Sequence, residues 1–477
     1  MTTPAPPAVF DESPAARKRE QRGWYFYDWA NSAFPTTVLT VFLGPYLTTI
    51  AESAACAKDF AGVANCTATF DTLVAQNPAL GYVDVLGLSM RPSAFYPFVI
   101  GVAAAVQVVL MLIAGAIADH TGRKKQIMGT FAYIGAAATV GMWFVADGRY
   151  MLGGWLYIVA SVSFACAFVV YNSFLPEIAT PDERDRVSTT GWGFGYLGGF
   201  LLLLVNLGTY QFRAKLGISE GDAVRLALSS AGLWWAGFTI IPLVRLRNRH
   251  AVPRGRESTG RAVIGSFAQL GRTIKELFTR YPLTLLFLVT YLLYNDGVQT
   301  VISFSATYAS QELGLSKDIQ ILAILMVQFV AFFGALLLGR LARSFGAKRV
   351  VLLSLVGWTA VVIVAYFLPK GSAVAFFALG FAIAIVMGGT QSLSRSLFSH
   401  VIPKGKEAEY YSLYEISDKG STMLGSFTLS LALQATNSYR IAIVSLVVFF
   451  ILGGVMLAMI NLPKVIRAAG NEVPDKI

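Results

Sequence analysis

Gly115-Ala-Ile-Ala-Asp119-His-Thr-Gly122-Arg123-Lys124-Lys125 closes one apolar run and opens a basic turn, and Gly339-Arg-Leu-Ala-Arg343-Ser-Phe-Gly346-Ala-Lys348-Arg349 does the same about 224 residues later. A short charged turn repeated once per half-chain, at the same point in the hydropathy pattern, is the trace of a duplicated membrane domain. The rest of the chain organises around those two turns.

Of the 477 residues, 55% are hydrophobic and only 14% charged, and the mean hydropathy is +0.59. That is too much apolar surface for a water-soluble fold. Runs long enough to cross a hydrocarbon core as helix lie near 25–50, 95–118, 127–146, 153–175, 190–209 and 226–245, then near 283–308, 320–341, 349–368, 373–398, 411–435 and 440–462. The expected fold is therefore all-α integral membrane, twelve transmembrane helices in two pseudo-symmetric six-helix bundles. The bundles are expected over 24–245 and 283–462, with an outer loop at 51–94, a linker at 246–282, and tails at 1–23 and 463–477.

The net charge of +11 invites a nucleic-acid reading, but its distribution argues against one. About 27 of the 38 Lys and Arg fall on the side that holds both termini, the asymmetry of cytoplasmic loops. Both termini and the basic linker are expected in the cytoplasm, where the charge meets anionic lipid. No cleavable signal precedes the first span. Cys56 and Cys66 share the outer loop and can pair in an oxidising compartment; two free thiols is the alternative. Asn65-Cys66-Thr67 is a sequon on that side, a pattern that also arises by chance.

The first turn resembles the signature between spans two and three of the major facilitator superfamily. In that reading Gly115 lets helices approach closely, Asp119 faces a helix N-terminus or a cation, Gly122 makes the turn and Arg123 anchors at the rim. The second turn departs from the pattern, with Arg343 in the place of the acid. Tyr27-Asp28-Trp29-Ala30-Asn31-Ser32-Ala33-Phe34 and Tyr294-Asn295-Asp296-Gly297-Val298-Gln299-Thr300 are similar to the branch that contains fungal vacuolar amino-acid effluxers linked to autophagy and many bacterial members. The resemblance implies a secondary transporter of a small-molecule substrate, with amino acids as the candidate cargo. It implies a multi-pass protein of a bacterial inner membrane, or of a vacuolar membrane in a fungus.

Ionisable residues inside spans are costly unless they face protein or water, so each is a functional candidate. Asp296 lies about fourteen residues into span seven, near the midplane, and Asp28 only about one turn into span one. Both are candidates for proton coupling, Asp296 first. Asn295, Gln299, Gln107, Gln328 and Asn31 are candidate substrate contacts, with Gln107 and Gln328 at nearly equivalent points of the two halves. Asp119, Arg123, Arg395, Glu415, Asp418 and Lys419 are expected to form an inner gate whose charges pair on closing. For each, a purely structural hydrogen bond or bridge is the competing reading. The glycines of Gly191-Trp-Gly193-Phe-Gly195-Tyr-Leu-Gly198-Gly199 serve close packing first.

No phosphate-binding loop, catalytic constellation or metal-ligand spacing occurs. Neither an enzyme nor a cofactor is expected, and the chain is expected to act as a monomer. Alternating-access transport of a small polar solute, with export preferred and a proton gradient as the driver, is the leading function. A lipid or hydrophobic-drug exporter is one alternative. A solute-sensing receptor is the other, and the short central linker argues against it.

Overall fold

The computed structural model describes residues 13–477 apart from 64, 250–270 and 437, and the side chains of 419–423 are not described. Among the described residues, eleven helices are long and apolar enough to cross a membrane. They are α1 Pro14–Asp59, α2 Pro92–Thr121, α3 Lys124–Phe144, α4 Tyr150–Ile178, α5 Pro181–Gln211 and α6 Glu220–Arg245, then α7 Pro282–Gln311, α8 Lys317–Phe345, α9 Ala347–Tyr366, α10 Ala373–His400 and α12 Tyr439–Met459. The twelfth place belongs to α11, Glu407–Thr436, a 30-residue helix that carries four acids in its first half. Large apolar side chains such as Val205, Leu233, Val356 and Val374 stand 63%, 63%, 66% and 81% exposed. Water would not tolerate such a belt, whereas lipid requires it.

The chain ends meet on one face: Arg17 pairs with Glu183 at 3.0 Å, and the Asp475 N–H donates to Asp182 Oδ1 at 2.9 Å. We call this the terminal face. Since α1 crosses away from it and α2 returns, the turn holding Lys124 lies on the terminal face and the Cys56 loop on the opposite one. Gly122 and Gly346, at φ +65° and +87°, turn the chain between α2 and α3 and between α8 and α9, a backbone that residues with a Cβ adopt only under strain.

α1 is longer than hydropathy suggests. Its first nine residues, Pro14 to Arg22, carry no large apolar side chain, yet Ser13 caps them, Pro14 occupies the first turn and the remainder, Ala, Arg, Lys, Glu and Gln, are good helix formers. Further along, Phe34–Phe42 winds as a π-helix. Pro35 has no N–H and crowds the preceding turn, so the ladder widens there. The Thr36 N–H recovers a bond to Ser32 O at 3.2 Å.

The loop opposite the terminal face is a small stapled module. Cys56 and Cys66 are joined as a disulfide. A hairpin of β1 Val83–Val85 and β2 Leu88–Met90 packs beside them. Arg91 ties the loop by donating to Leu80 O and Pro78 O, each at 2.7 Å.

Buried apolar residues form two clusters, one drawn mainly from the first six helices and one mainly from the last six. The halves meet chiefly through α2 against α11 and α5 against α8 and α10. The approach is close where glycine permits: a Cβ on Gly115 would lie 2.6 Å from Ala408 O of α11. Gly339 of α8 is pressed in the same way against Thr189 of α5, so the duplicated glycines serve equivalent crossings.

Candidate gate and substrate site

Hydrogen bonds between the halves concentrate toward the terminal face, in two layers. The outer one is centred on Lys124. Its ammonium is 2.6 Å from Glu177 Oε1, 3.2 Å from Asp119 Oδ1 and 3.4 Å from Glu407 Oε2. Asp119 also accepts the Glu409 N–H at 2.9 Å on Oδ2, so it caps the N-terminus of α11 across the seam, where the helix dipole favours an anion. The cation expected here was Arg123, but that side chain is exposed. As the first residue of α3, Lys124 is turned by the helix phase into the seam. Glu177, Glu407 and Lys124 escaped the sequence reading because each sits at a helix end, outside the apolar runs. The second turn is wired differently: Arg343 is exposed, and Lys348 donates to Ala458 O and Ile460 O at 2.9 and 2.8 Å, capping the C-terminus of α12 within its own half.

One layer deeper, Arg395 of α10 is 1% exposed and reaches wholly into the first half. It donates through Nε to Ser188 Oγ at 2.9 Å, through one terminal nitrogen to Asn172 Oδ1 at 3.1 Å, and through the other to Ser188 O at 2.9 Å. Both terminal nitrogens approach Asp28 Oδ2 at 3.4 Å. The Tyr171 hydroxyl donates to the same oxygen at 2.7 Å, and the guanidinium lies over the Trp24 ring, 4.7 Å from its centroid. Asn172 passes the connection on, its Nδ2 donating to Glu415 Oε1 at 2.9 Å. Glycine makes room: a Cβ on Gly191 would be 2.8 Å from Asp28 Oδ2. Of the other glycines of that run, Gly195, Gly198 and Gly199 face α1 at Ser32, Trp29 and Thr36, and Gly193 faces Phe332 of α8, which is close helix packing. Asp28, Arg395 and Glu415 thus come together. Trp24, Tyr171, Asn172 and Ser188 complete the group, and they were hard to read because aromatic and small polar residues are common in spans.

Asp418 does not join that layer. Its Oδ1 accepts from Asn295 Nδ2 at 2.7 Å, Gln299 Nε2 at 3.0 Å and the Tyr291 hydroxyl at 3.3 Å, all from α7 of its own half. Its group is the candidate substrate residues Asn295 and Gln299, and Tyr291 stacks on Tyr414 at 4.1 Å beside it. The side chain of Lys419, the remaining expected gate residue, lies outside the described residues. Asp296 also faces α11, at Gly425 rather than Asp418. It is fully buried, with the Thr300 hydroxyl 3.5 Å from Oδ1 and no hydrogen-bond partner for Oδ2 among the described residues. Gly425 abuts it: a Cβ there would be 3.0 Å from Oδ1. Along α11 the ten residues between Glu415 and Gly425 separate the Asp28 and Asp296 levels by about 15 Å.

The two glutamines part company. Gln107 donates to Ser161 Oγ at 2.5 Å within its half, whereas Gln328 donates to Thr36 Oγ1 at 2.9 Å across the seam. Asn31 is buried, and its Nδ2 has no hydrogen-bond partner among the described residues.

Two halves of six helices, sealed at one face around a buried arginine, invite comparison with known carriers. The model of the family described as "Vacuole effluxer Atg22 like" matches residues 16–470. The chain belongs to that family. Among its relatives, the uncharacterized MFS-type transporter YxiO of Bacillus subtilis is 29% identical over 446 residues, covering 93% of this chain and 95% of that one. Autophagy-related protein 22-1 of Aspergillus niger is 25% identical, covering 96% and 91%. Among solved structures, the major facilitator proton:xylose symporter XylE superposes with a TM-score of 0.61 at 13% identity, over 92% of this chain and 94% of that one. This Atg22-like chain is a membrane transporter of the major facilitator fold.

Proposed function

We propose that the chain is a secondary transporter that exports a small polar or amphipathic solute, amino acids foremost, by alternating access coupled to protons. The observation that carries this reading is the Arg395 layer. A buried guanidinium that spans two separately cored halves is a contact that can be made and broken as a unit, and breaking it opens the terminal face. In this reading the terminal face is cytoplasmic, in accord with the basic residues around it, and the molecule is in its outward-facing state. The protein acts as a monomer in a bacterial inner membrane, or in a vacuolar membrane in a fungal host, and moves its substrate without covalent chemistry.

The roles divide by layer. Lys124 and Asp119 clasp the rim, Arg395 with Asp28 and Glu415 closes the gate, and Asn295, Gln299 and Asp418 offer polar contacts to substrate, with Gln107, Gln328 and Asn31 nearby. Asp296, a buried acid with one oxygen unbonded among the described residues, is the coupling carboxylate. Uptake and counterflow of labelled amino acids in proteoliposomes, with and without a pH gradient, tests the reading. Gradient-dependent accumulation of an amino acid is the expected result, and its absence across a full amino-acid panel refutes it. A second reading, lipid or hydrophobic-drug export, draws on an apolar crevice of about 600 Å³ between α9 and α10, lined by Gly357, Val361, Phe367, Leu379 and Val386. Lipid scrambling or drug efflux in the same vesicles would favour it.

A further inference from the structure

The Lys124 cluster is out of electrical balance. One ammonium faces three carboxylates, and the side chains of Lys124, Asp119 and Glu177 are 5%, 2% and 8% exposed, that of Glu407 14%. Asp119 Oδ2 accepts the Glu409 N–H, Glu407 accepts the Gly405 N–H on Oε1 at 2.9 Å and the Lys124 ammonium on Oε2, and Glu177 Oε1 takes the same ammonium at the shortest distance. Glu177 Oε2 and Asp119 Oδ1 are both shut off from solvent and accept no hydrogen bond among the described residues, but Asp119 Oδ1 has the Lys124 ammonium at 3.2 Å, which leaves Glu177 Oε2 as the oxygen for the proton.

Among the described residues, the surrounding charges do not make up the deficit. Arg249, beyond α6, acts on Glu177 but is itself paired with Glu20 of α1 at 2.5 Å. Arg184 of α5 acts on Glu407, and Asp185 and Glu472 act on it in turn. His400 of α10 lies 3.4 Å from that guanidinium, where a second positive charge is disfavoured. Glu409 of α11 adds a further carboxylate, which accepts from the Thr273 hydroxyl at 2.6 Å. A buried group with surplus negative charge and an unoccupied carboxylate oxygen takes up a cation, and the smallest cation needs no extra space.

We propose that this cluster is a proton-binding site: the terminal face closes with one proton held on Glu177 and releases it on opening. The inference rests on the alternating-access reading and adds to it a second titrating position, distinct from Asp296. When the face opens, Glu407 and the α11 N-terminus withdraw with the second half. Asp119, Lys124 and Glu177 are then wetted, and both carboxylates ionise in water. Closing therefore binds a proton from the solvent, converting the Glu177 carboxylate to the acid with no other bond made or broken, and acidification favours the closed face.

Spin labels at Arg22→Cys and Lys404→Cys, exposed positions on the two halves at this face, report closure in reconstituted full-length protein carrying Cys166→Ser. Distances are measured by double electron–electron resonance between pH 5 and 8, without substrate or gradient. The expected closed-to-open ratio rises up to tenfold per unit of acidification within the titrating window. Glu177→Gln, which mimics the protonated acid, should remain closed at every pH. A flat wild-type profile, or a Glu177→Gln protein with the wild-type slope, overturns the proposal. So does an equilibrium that follows sodium, replaced by choline at fixed pH, rather than pH. If Glu177→Gln does not insert, Glu407→Gln serves, since it removes one charge from the same cluster and should flatten the slope; an unchanged slope again overturns the proposal. Because no substrate is used, failure of the transport assay and failure of this experiment are distinguishable.

Discussion

Arg395→Ala should unlatch the terminal face without unfolding the protein. In the closed state the substitution leaves Asp28, only 4% exposed, with the Tyr171 hydroxyl at 2.7 Å but no cation. It also deprives Asn172 Oδ1 and Ser188 O of their donors. Stranding a buried charge by removing its partner costs about 3–5 kcal/mol. In the open state Asp28 meets water, so nearly all of that cost falls on the closed state. At about 1.4 kcal/mol per factor of ten, the closed-to-open ratio should drop by about a hundredfold or more. Arg395→Lys keeps a charge near Asp28 but loses the fork that binds Ser188 and Asn172 together, so a drop of about tenfold is expected. The label pair at positions 22 and 404 reads both directly. If Arg395→Ala leaves the distance distribution unchanged, the buried arginine does not hold the gate, and the closed state must be carried by helix packing alone.

Three further outcomes follow from the same geometry. Asp296→Asn keeps size and hydrogen bonding but cannot titrate, so gradient-driven accumulation should vanish while exchange at equal pH persists; an Asn variant that still concentrates substrate places the coupling proton elsewhere. Gly115→Val puts a side chain against Ala408 O of α11, an overpacking that costs about 1–3 kcal/mol; it should shift the labelled pair toward open with normal expression, and an unshifted pair would mean that α2 and α11 have slack. Cys56→Ser removes the staple of a ten-residue segment and should cost the loop about 2–3 kcal/mol, read as faster proteolysis of the loop with the helical bundle intact. Intact mass with and without reductant, finding both wild-type thiols free in protein from native membranes, would contradict the disulfide.

How far the sequence could be read varies with what each feature depends on. Spanning helices depend on local hydropathy, so their number and order were legible, whereas the polar start of α1 was not, since nothing apolar marks it. Depth along a helix was legible too, and it separates Asp28 from Asp296. Direction around a helix was not. Glu415 and Asp418 are three residues apart, about 60° short of a full turn, and that rotation alone sends one across the seam to Asn172 and the other to α7. The same limit separates Arg123 from Lys124: a basic turn announces that a cation is present, while only the phase of the following helix decides which one is buried. Gln107 and Gln328 look equivalent in sequence but find partners on different sides of the seam, since a hydrogen bond depends on the neighbour across as much as on the residue itself.

The two hinge turns began as copies and no longer do the same work. The first places an acid on a helix of the other half, and the second places a lysine on a helix of its own. The two halves are parallel repeats, so both turns lie on the terminal face, and two identical turns would clasp that one face twice, once from each half. The clasp on this face is therefore made by one half alone, a product of divergence after duplication. Among relatives of this chain, those with an acid at the place of Arg343 are the ones in which the balance between the closed and open states of this face should differ most.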